Sequence, residues 1–339
     1  MWDPADRLAY VYNYSTNSGT YSDARDVANR VGTNWETSDR TEVSAAYNLQ
    51  KTLDFFKGYG FAVANIDFTS TGQTLLPFTV HYGTGYNNAF WNPGDGFYFG
   101  DGDGTSLAPL ATMDVVAHEF GHAWTENTSN LVYQDEAGAL NESFSDIVGA
   151  TVELVNQADD RASYPNSGSG KADWLIGEDI LRLPGIDYAS LRDMRDPANT
   201  VTVGTGGEQP TRYLGTYWYS GSFDNGGVHQ NSGVQNFFYY LLAEGGNGTN
   251  DGLLYSVDGI DLSNAMRVAF ETNSHFLTSE ATYQSARQAW IDAANSIDPS
   301  FVPSVMAAWD AVGVGPKIDY PVTVTSDESF ETSAELPGG

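Results

Sequence analysis

Cysteine is missing from all 339 residues, which removes disulfides and thiolate chemistry together. Any zinc held by this chain must therefore be bound by His, Asp or Glu. Basic residues are scarce as well: 15 Lys and Arg stand against 44 Asp and Glu, leaving a net charge of −29. Such a surface repels phosphate backbones, so nucleic acid is not an expected partner. The same acidity suits a protein kept soluble in salty surroundings, or one that gathers carboxylates around calcium. No apolar run reaches the roughly 18 residues of a membrane helix, and no membrane association is expected. The opening residues, Met1-Trp2-Asp3-Pro4-Ala5-Asp6, have neither the basic start nor the apolar centre of a signal peptide. That leaves an intracellular protein or a mature form whose leader has been removed.

Apolar residues make up 41% of the chain and aromatics 13%, enough for two lobes or one large domain with a packed core. Only five histidines occur, and two of them stand in Val115-Val116-Ala117-His118-Glu119-Phe120-Gly121-His122-Ala123-Trp124. On a helix, residues four apart differ by about 40° in azimuth, so His118 and His122 leave one face side by side. Both can reach a single small ion. Glu119 is turned aside from the metal yet close enough to hold a water beside it, the arrangement of a zinc hydrolase. The plainer reading is two structural histidines on an amphipathic helix.

The rest of the chain divides into two textures. Before residue 113 it reads as mainly β with one helix. Strands are expected near 8–12, 76–82, 89–91 and 96–99, and a helix over 42–57, where Ala45, Leu49, Leu53 and Phe56 recur at helical spacing. From Met113 the pattern turns helical. Asp114 is placed to cap the histidine helix, which should run to about Thr125. A second helix is expected over 139–154, with Leu140, Phe144, Ile147, Val148 and Val152 facing inward. Residues 156–172 read as a polar loop and 173–179 as an ordered acidic loop. A glycine turn at 223–229 should run into a helix over 232–244, and two further helices are expected over 281–296 and 303–312. The polar, acidic segment 318–339 reads as a tail or linker.

A catalytic zinc takes three protein ligands and keeps a position for water. Two histidines are not enough. Glu142 follows His122 by 20 residues, room for one helix to end and a second to begin beside it. Asp146 lies on the same face four residues on, placed to accept the other ring N–H of a ligand histidine. Read alone, both are as easily surface carboxylates of an acidic amphipathic helix.

His118-Glu119-Phe120-Gly121-His122 followed by Asn141-Glu142-Ser143-Phe144-Ser145-Asp146 closely resembles the thermolysin-like metallopeptidases, the gluzincins whose third zinc ligand is a glutamate. Similar to the same family are Tyr86-Asn87-Asn88-Ala89-Phe90-Trp91, Gly100-Asp101-Gly102-Asp103-Gly104 and the stretch from Asp224-Asn225-Gly226-Gly227-Val228-His229 to Gly233. The likeness runs from about Val80 to Val314.

That resemblance implies zinc on His118, His122 and Glu142, with Glu119 the general base that activates a zinc-bound water. It implies Asp146 orienting His118, His229 and Tyr133 stabilising the oxyanion, and Asp224 holding the His229 ring. Asn88 and the carbonyl of Ala89 would bind the substrate as an added strand, and Arg192 would hold a substrate carbonyl. An S1′ pocket lined by Val115, Ile180 and Leu191 would favour a bulky hydrophobic P1′ residue. A pocket of that kind discriminates by only a few kcal/mol, so cleavage should be broad.

Calcium is the second implied ion, one or two in number, at Asp114, Glu153, Asp173 and Glu178. Leu175 stands where the family often has another acid, and Ile180-Leu181-Arg182-Leu183-Pro184 lacks the oxygen ligands of a further site. The expected fold is α+β and two-lobed: a β-rich N-terminal lobe over 1–132 that ends in the histidine helix, a mainly α lobe over 133–317, and the tail. The expected protein is a secreted, monomeric zinc endopeptidase acting on proteins or peptides and made with an N-terminal propeptide. The rival reading is a zinc-stabilised peptide-binding module of the same fold without turnover. Retention of Glu119 argues against it, since a structural zinc has no use for that residue.

Overall fold

The structure is a computed structural model that describes residues 9–14, 25–27, 40–61, 66, 76–159, 171–182, 190–199 and 208–316. The tail at 318–339, most of the 156–172 loop, and Leu183 and Pro184 lie outside these. The N-terminal part holds strands β1 (Ala9–Tyr14), β2 (Arg25–Val27), β3 (Leu76–Val80), β4 (Ala89–Asn92) and β5 (Gly96–Phe99), with helix α1 (Arg40–Gly58) after β2. They form one sheet in the order β2-β1-β3-β5-β4. The β1–β3 and β3–β5 pairs are parallel, whereas β1–β2 and β4–β5 are antiparallel. β4 is therefore an edge strand, with Trp91 opposite Phe97 and Ala89 opposite Phe99 on its inner neighbour. Among the described residues no strand lies beside its other edge.

Helix α1 buries Ala45, Leu49 and Phe56, as their spacing predicts, and leaves Leu53 half-buried. The Asn48 amide, also buried, donates to Ala111 O at 2.8 Å and ties α1 to the chain entering the next helix. That next helix, α2 (Met113–Glu126), carries the two histidines; α3 (Asp135–Asn156) follows after a short loop. Twelve of the 14 residues of α2 are buried, and in α3 every residue from Ala137 to Glu153 is buried. Apolar burial on all sides marks these as the central pair of the molecule. They approach closely because Gly121 and Gly149 carry no side chain. A Cβ on Gly121 would meet Ser145 Cα at 2.8 Å, and one on Gly149 would meet Asp114 O at 2.8 Å. Expanding either position would push the second zinc-donor helix away from the first.

Two short pairs flank α3: β6 (Ala158–Asp159) with β7 (Lys171–Ala172), and β8 (Leu175–Ile176) with β9 (Arg192–Asp193); an isolated bridge also joins Leu107 to Leu181. The C-terminal part is α4 (Asp224–Asn231), α5 (Gly233–Glu244), the hairpin β10 (Gly246–Asn250) and β11 (Leu253–Val257), α6 (Leu262–Glu271), α7 (Tyr283–Ile297) and α8 (Val302–Ala311). A chain of rings joins the two parts. Phe97 packs on Phe120, Phe120 on Phe56, Phe56 on Trp124, Trp124 on Phe144, Phe144 on Trp290 and Trp290 on Phe238, with centroids 4.7–6.0 Å apart, the first and fifth pairs stacked and the others tilted or edge-to-face. Aromatic pairs at such spacing add stability beyond their buried area, and α2 runs through the middle of them.

Asp114 does not cap α2. Thr112 is the residue before the helix, in extended conformation, and Asp114 is the second residue of the helix proper. Its carboxylate is buried and accepts the Gly177 N–H at 2.6 Å, so it cannot fold back over the helix end. The acidic 173–179 stretch, expected as an ordered loop, pairs through β8 with β9.

Candidate active site

The cleft between the β4 edge and the α-helical part has a volume of about 1160 Å³, and α2 forms its floor. His118 and His122 reach it from adjacent turns. Their Nε2 atoms stand 3.1 Å apart, and each is 3.5 Å from an oxygen of Glu142, which projects from α3. Atoms about 2.0–2.2 Å from a tetrahedral zinc lie roughly 3.3–3.5 Å from each other, so this donor set has the dimensions of a zinc site. Glu142 is fully buried, and its Oε2 has no hydrogen-bond partner. A buried carboxylate oxygen without a hydrogen-bond partner is costly unless a cation meets it. The residues present fit zinc.

The groups behind the donors fix their direction. Asp146 Oδ1 is 2.8 Å from His118 Nδ1, and Asn141 Oδ1 is 2.7 Å from His122 Nδ1. Because Asn141 gives its amide N–H to Leu131 O, its oxygen faces the ring and takes the Nδ1 proton. Both Nε2 atoms then point at the shared space. Asp146 is itself held by three donors: Arg192 Nε at 2.7 Å, Arg192 Nη2 at 2.6 Å and the Asn236 amide at 2.8 Å. Burial raises its pKa, but the Arg192 guanidinium and His118 bring it down to about 2. Burial likewise opposes the charge on His118, yet Asp146 and Glu142 raise its pKa to about 10.

Around this centre stand the remaining expected residues. Glu119 is buried, and its Oε2 accepts the backbone N–H of Trp91 at 3.0 Å. Tyr133 donates its hydroxyl to Glu142 Oε1 and lies 3.3 Å from His229 Nε2. Burial, reinforced by the Glu142 charge, pushes the Tyr133 phenol far above its ordinary range, so it stays a proton donor. His229 Nε2 is 3.3 Å from Glu142 Oε1, and its Nδ1 is 2.8 Å from Asp224 Oδ1. Asp224, Asn225, Gly226 and Gly227 all have positive φ, between 49° and 89°. That left-handed run curls the chain until the Asp224 carboxylate takes both the backbone N–H and the ring of His229. Glycine is needed at 226 and 227 because a Cβ there would strike Asp135 and Tyr219 at 2.1 and 2.6 Å.

Asn88, Ala89, Val115, Ile180, Leu191 and Arg192 all line the cleft. Arg192 spends two of its N–H donors on Asp146, and its side chain is 13% exposed. Ala89 opens the edge strand β4, and Asn88 directly precedes it.

A second cluster lies behind α2 and away from the cleft. Glu153, Asp173 and Glu178 each offer an oxygen within 4.8 Å of the others. Asp114 is joined to them through the Gly177 N–H on its Oδ2, while its Oδ1 has no hydrogen-bond partner, and neither have Glu153 Oε2 or either oxygen of Glu178. Burial, then the neighbouring acids, drives the pKa values of Glu153 and Glu178 well up. Such a set needs a hard cation or protons. Leu175 offers no side-chain oxygen: its side chain is buried, and its N–H bonds to Asp173 Oδ1 at 2.7 Å.

Three contributors have no expectation attached to them in the sequence. Asn141 sets the His122 ring; it directly precedes Glu142, and a polar residue beside a ligand was the available signal. Asp103 and Asn87 exchange hydrogen bonds of 2.7 and 2.8 Å, and the N–H groups of Gly100 and Gly102 bond to Asn88 O and Tyr86 O. The glycine-aspartate loop thereby holds the segment that leads into β4. The third, the Trp91 N–H on Glu119, is a backbone contact with no sequence signature.

Comparison with known proteins agrees with this geometry. A family model described as the thermolysin metallopeptidase catalytic domain matches residues 1–126, and one for the alpha-helical domain matches residues 129–314. A bacillolysin of Brevibacillus brevis is 41% identical over 281 residues, 82% of this chain and 46% of the relative. A thermolysin of Alicyclobacillus acidocaldarius is 36% identical over 318 residues, 90% of this chain and 53% of the relative. The chain thus spans about half the length of the curated relatives it matches. Among solved structures, the precursor of protealysin, a metalloproteinase from Serratia proteamaculans, superposes with a TM-score of 0.69 at 30% identity, covering 91% of this chain and 88% of that one. With both family models matched in sequence order across nearly its whole length, the chain belongs to the thermolysin metallopeptidase family.

Proposed function

We propose that this chain is the catalytic part of a secreted, zinc-dependent endopeptidase. The observation that carries the reading is the convergence of two imidazole nitrogens and a buried carboxylate at zinc-site spacing, with Glu119 beside them on the cleft floor. His118, His122 and Glu142 would hold the metal. When bound, zinc supplies a Lewis acid that polarises a peptide carbonyl and makes a water more acidic. Glu119 takes the proton of the attacking water and delivers it to the leaving amine, and the Trp91 N–H on Oε2 leaves the other carboxylate oxygen to carry that proton. His229 and Tyr133 donate hydrogen bonds to the carbonyl oxygen as negative charge grows on it. Asp224 keeps the His229 ring turned for this, and Asp146 keeps His118 turned toward the metal.

The substrate adds to the β4 edge as an extended strand, through Asn88 and the carbonyl of Ala89. Arg192 offers its remaining donors to a substrate carbonyl while Asp146 holds it in place. Val115, Ile180 and Leu191 form the S1′ pocket. All three are branched and apolar, and the first two are buried, so bulky hydrophobic residues are preferred at P1′. Calcium, one or two ions, is held by Asp114, Glu153, Asp173 and Glu178 and stabilises the fold behind α2. The protein acts as a monomer on protein or peptide substrates. An N-terminal propeptide in the precursor is part of the proposal, supported by the precursor form of the protealysin neighbour. The lobes divide near 132, with 133–317 as the helical one.

Cleavage-site mapping on casein tests the specificity. Cuts are expected mainly on the N-terminal side of Leu, Ile, Val and Phe, about tenfold or more enriched over Asp and Glu. Cuts spread evenly over residue types would remove the S1′ assignment.

A further inference from the structure

One carboxylate in the cleft is used neither by the zinc donors nor by the reacting groups. Glu126 is the last residue of α2 and lines the cleft on the helix face that carries His118 and His122, at successive steps of four residues. Four helical residues advance about 6 Å, so Glu126 stands one turn beyond His122, at the end of α2 opposite Val115. It is half-buried, and its Oε2 accepts the indole N–H of Trp91 at 2.6 Å. A side chain of β4 thus pins the carboxylate of α2 in place. Among the described residues no Lys or Arg pairs with Glu126, and the one Lys or Arg that lines the cleft, Arg192, is clamped on Asp146.

A fixed, half-buried carboxylate is screened less than an exposed one and loses little entropy when a counter-charge arrives. The half-buried Trp91 beside it offers apolar surface to the methylenes of a long basic side chain, whose charged end would then sit at the carboxylate. An extended peptide covers about 3.4 Å per residue, so one helical turn corresponds to about two substrate residues. With the P1′ side chain at the Val115 end, Glu126 faces the part of the substrate N-terminal to the cut. We infer that Glu126 makes the cleft select Lys or Arg about two residues N-terminal to the scissile bond. This rests on the peptidase reading given above.

The test uses the zinc-loaded protein and peptides with Leu at P1′ that differ only in Arg, Gln or Glu at P2. The wild type is expected to cleave the Arg peptide with a kcat/KM about five- to tenfold above that of the Gln peptide at low salt, the ratio shrinking as salt is added. Glu126→Gln keeps an oxygen for the Trp91 indole while removing the charge, and its ratio should fall to within about twofold of unity. Glu126→Asp should retain the preference. Asp292→Asn, on α7 far from the cleft, controls for net charge and should leave the ratio as in the wild type. An unchanged ratio in Glu126→Gln, or an equal fall in Asp292→Asn, would overturn the inference. A wild type that cuts none of the peptides would overturn the peptidase reading with it, whereas a wild type that cuts Arg and Gln peptides equally overturns this inference alone.

Discussion

Glu119→Gln is expected to lower kcat/KM for peptide hydrolysis about a thousandfold while zinc remains bound at one per chain. The two halves of that result follow from different contacts. The proposed metal donors are His118, His122 and Glu142, whereas the Glu119 carboxylate accepts the Trp91 N–H at 3.0 Å. A glutamine of the same shape keeps an oxygen for that N–H, so the fold and the metal affinity should be preserved. It cannot accept and return a proton. Loss of a positioned general base typically costs about 10²–10⁴-fold, and here one group serves both the attacking water and the leaving amine, which places the expectation in the upper part of that range. Steady-state kinetics with metal analysis of the same sample checks it. A variant that keeps more than about a tenth of wild-type kcat/KM would remove Glu119 from the proton path. A variant that lost its zinc would make it a ligand or a structural support instead.

Removal of the proposed calcium is expected to have the second large effect. Asp114, Glu153, Asp173 and Glu178 are gathered behind α2, with several oxygens buried and unpartnered. Burial and mutual repulsion raise the pKa values of Glu153 and Glu178, so without a cation the folded state must either protonate these groups or bear their repulsion. A cation present at about a thousand times its Kd stabilises the folded state by roughly 4 kcal/mol. In a protein of this size that corresponds to a shift in Tm on the order of 10 °C. Heating with and without a calcium chelator that spares zinc reads this directly, and Glu178→Gln should reproduce much of the loss in excess calcium. The position of Asp114 sharpens the expectation. It belongs to the helix that carries both histidines, so melting of the calcium cluster should precede or accompany loss of activity. An unchanged Tm on chelation would leave the cluster as a protonated acid network.

Much of this site was legible in the chain, for reasons that can be named. The four-residue spacing of His118 and His122 works through helix geometry alone, and the helix they need is the most apolar-flanked segment of the middle of the sequence. Glu142 and Asp146 share a helix face for the same reason. What lay beyond reach were contacts set by tertiary structure. Thr112 rather than Asp114 precedes α2 because the Asp114 carboxylate is drawn inward to Gly177, and no local rule encodes that pull. The hairpin at Gly246–Asn250 and Leu253–Val257 escapes periodicity because β10 contains no apolar residue, although Asp251-Gly252 supplies its turn. Helix α6, not expected from the sequence, runs directly into a π-helical stretch at Thr272–Phe276. Asn141 and Arg192 differ in another way. Both stand in recognisable motifs, but that one steadies His122 and the other grips Asp146 emerges only when α2, α3 and β9 are brought together.

The central claim is that one zinc ion, held by His118, His122 and Glu142, is required for this chain to cleave peptide bonds. The most direct measurement follows zinc content and casein hydrolysis on a single sample, as purified, after treatment with a zinc chelator in excess calcium, and after zinc is returned. The expected result is one zinc per chain, hydrolysis lost with the metal, and hydrolysis restored in proportion to the zinc bound, up to one equivalent. Undiminished hydrolysis by the zinc-free protein, or full occupancy of the site without any hydrolysis, would contradict it.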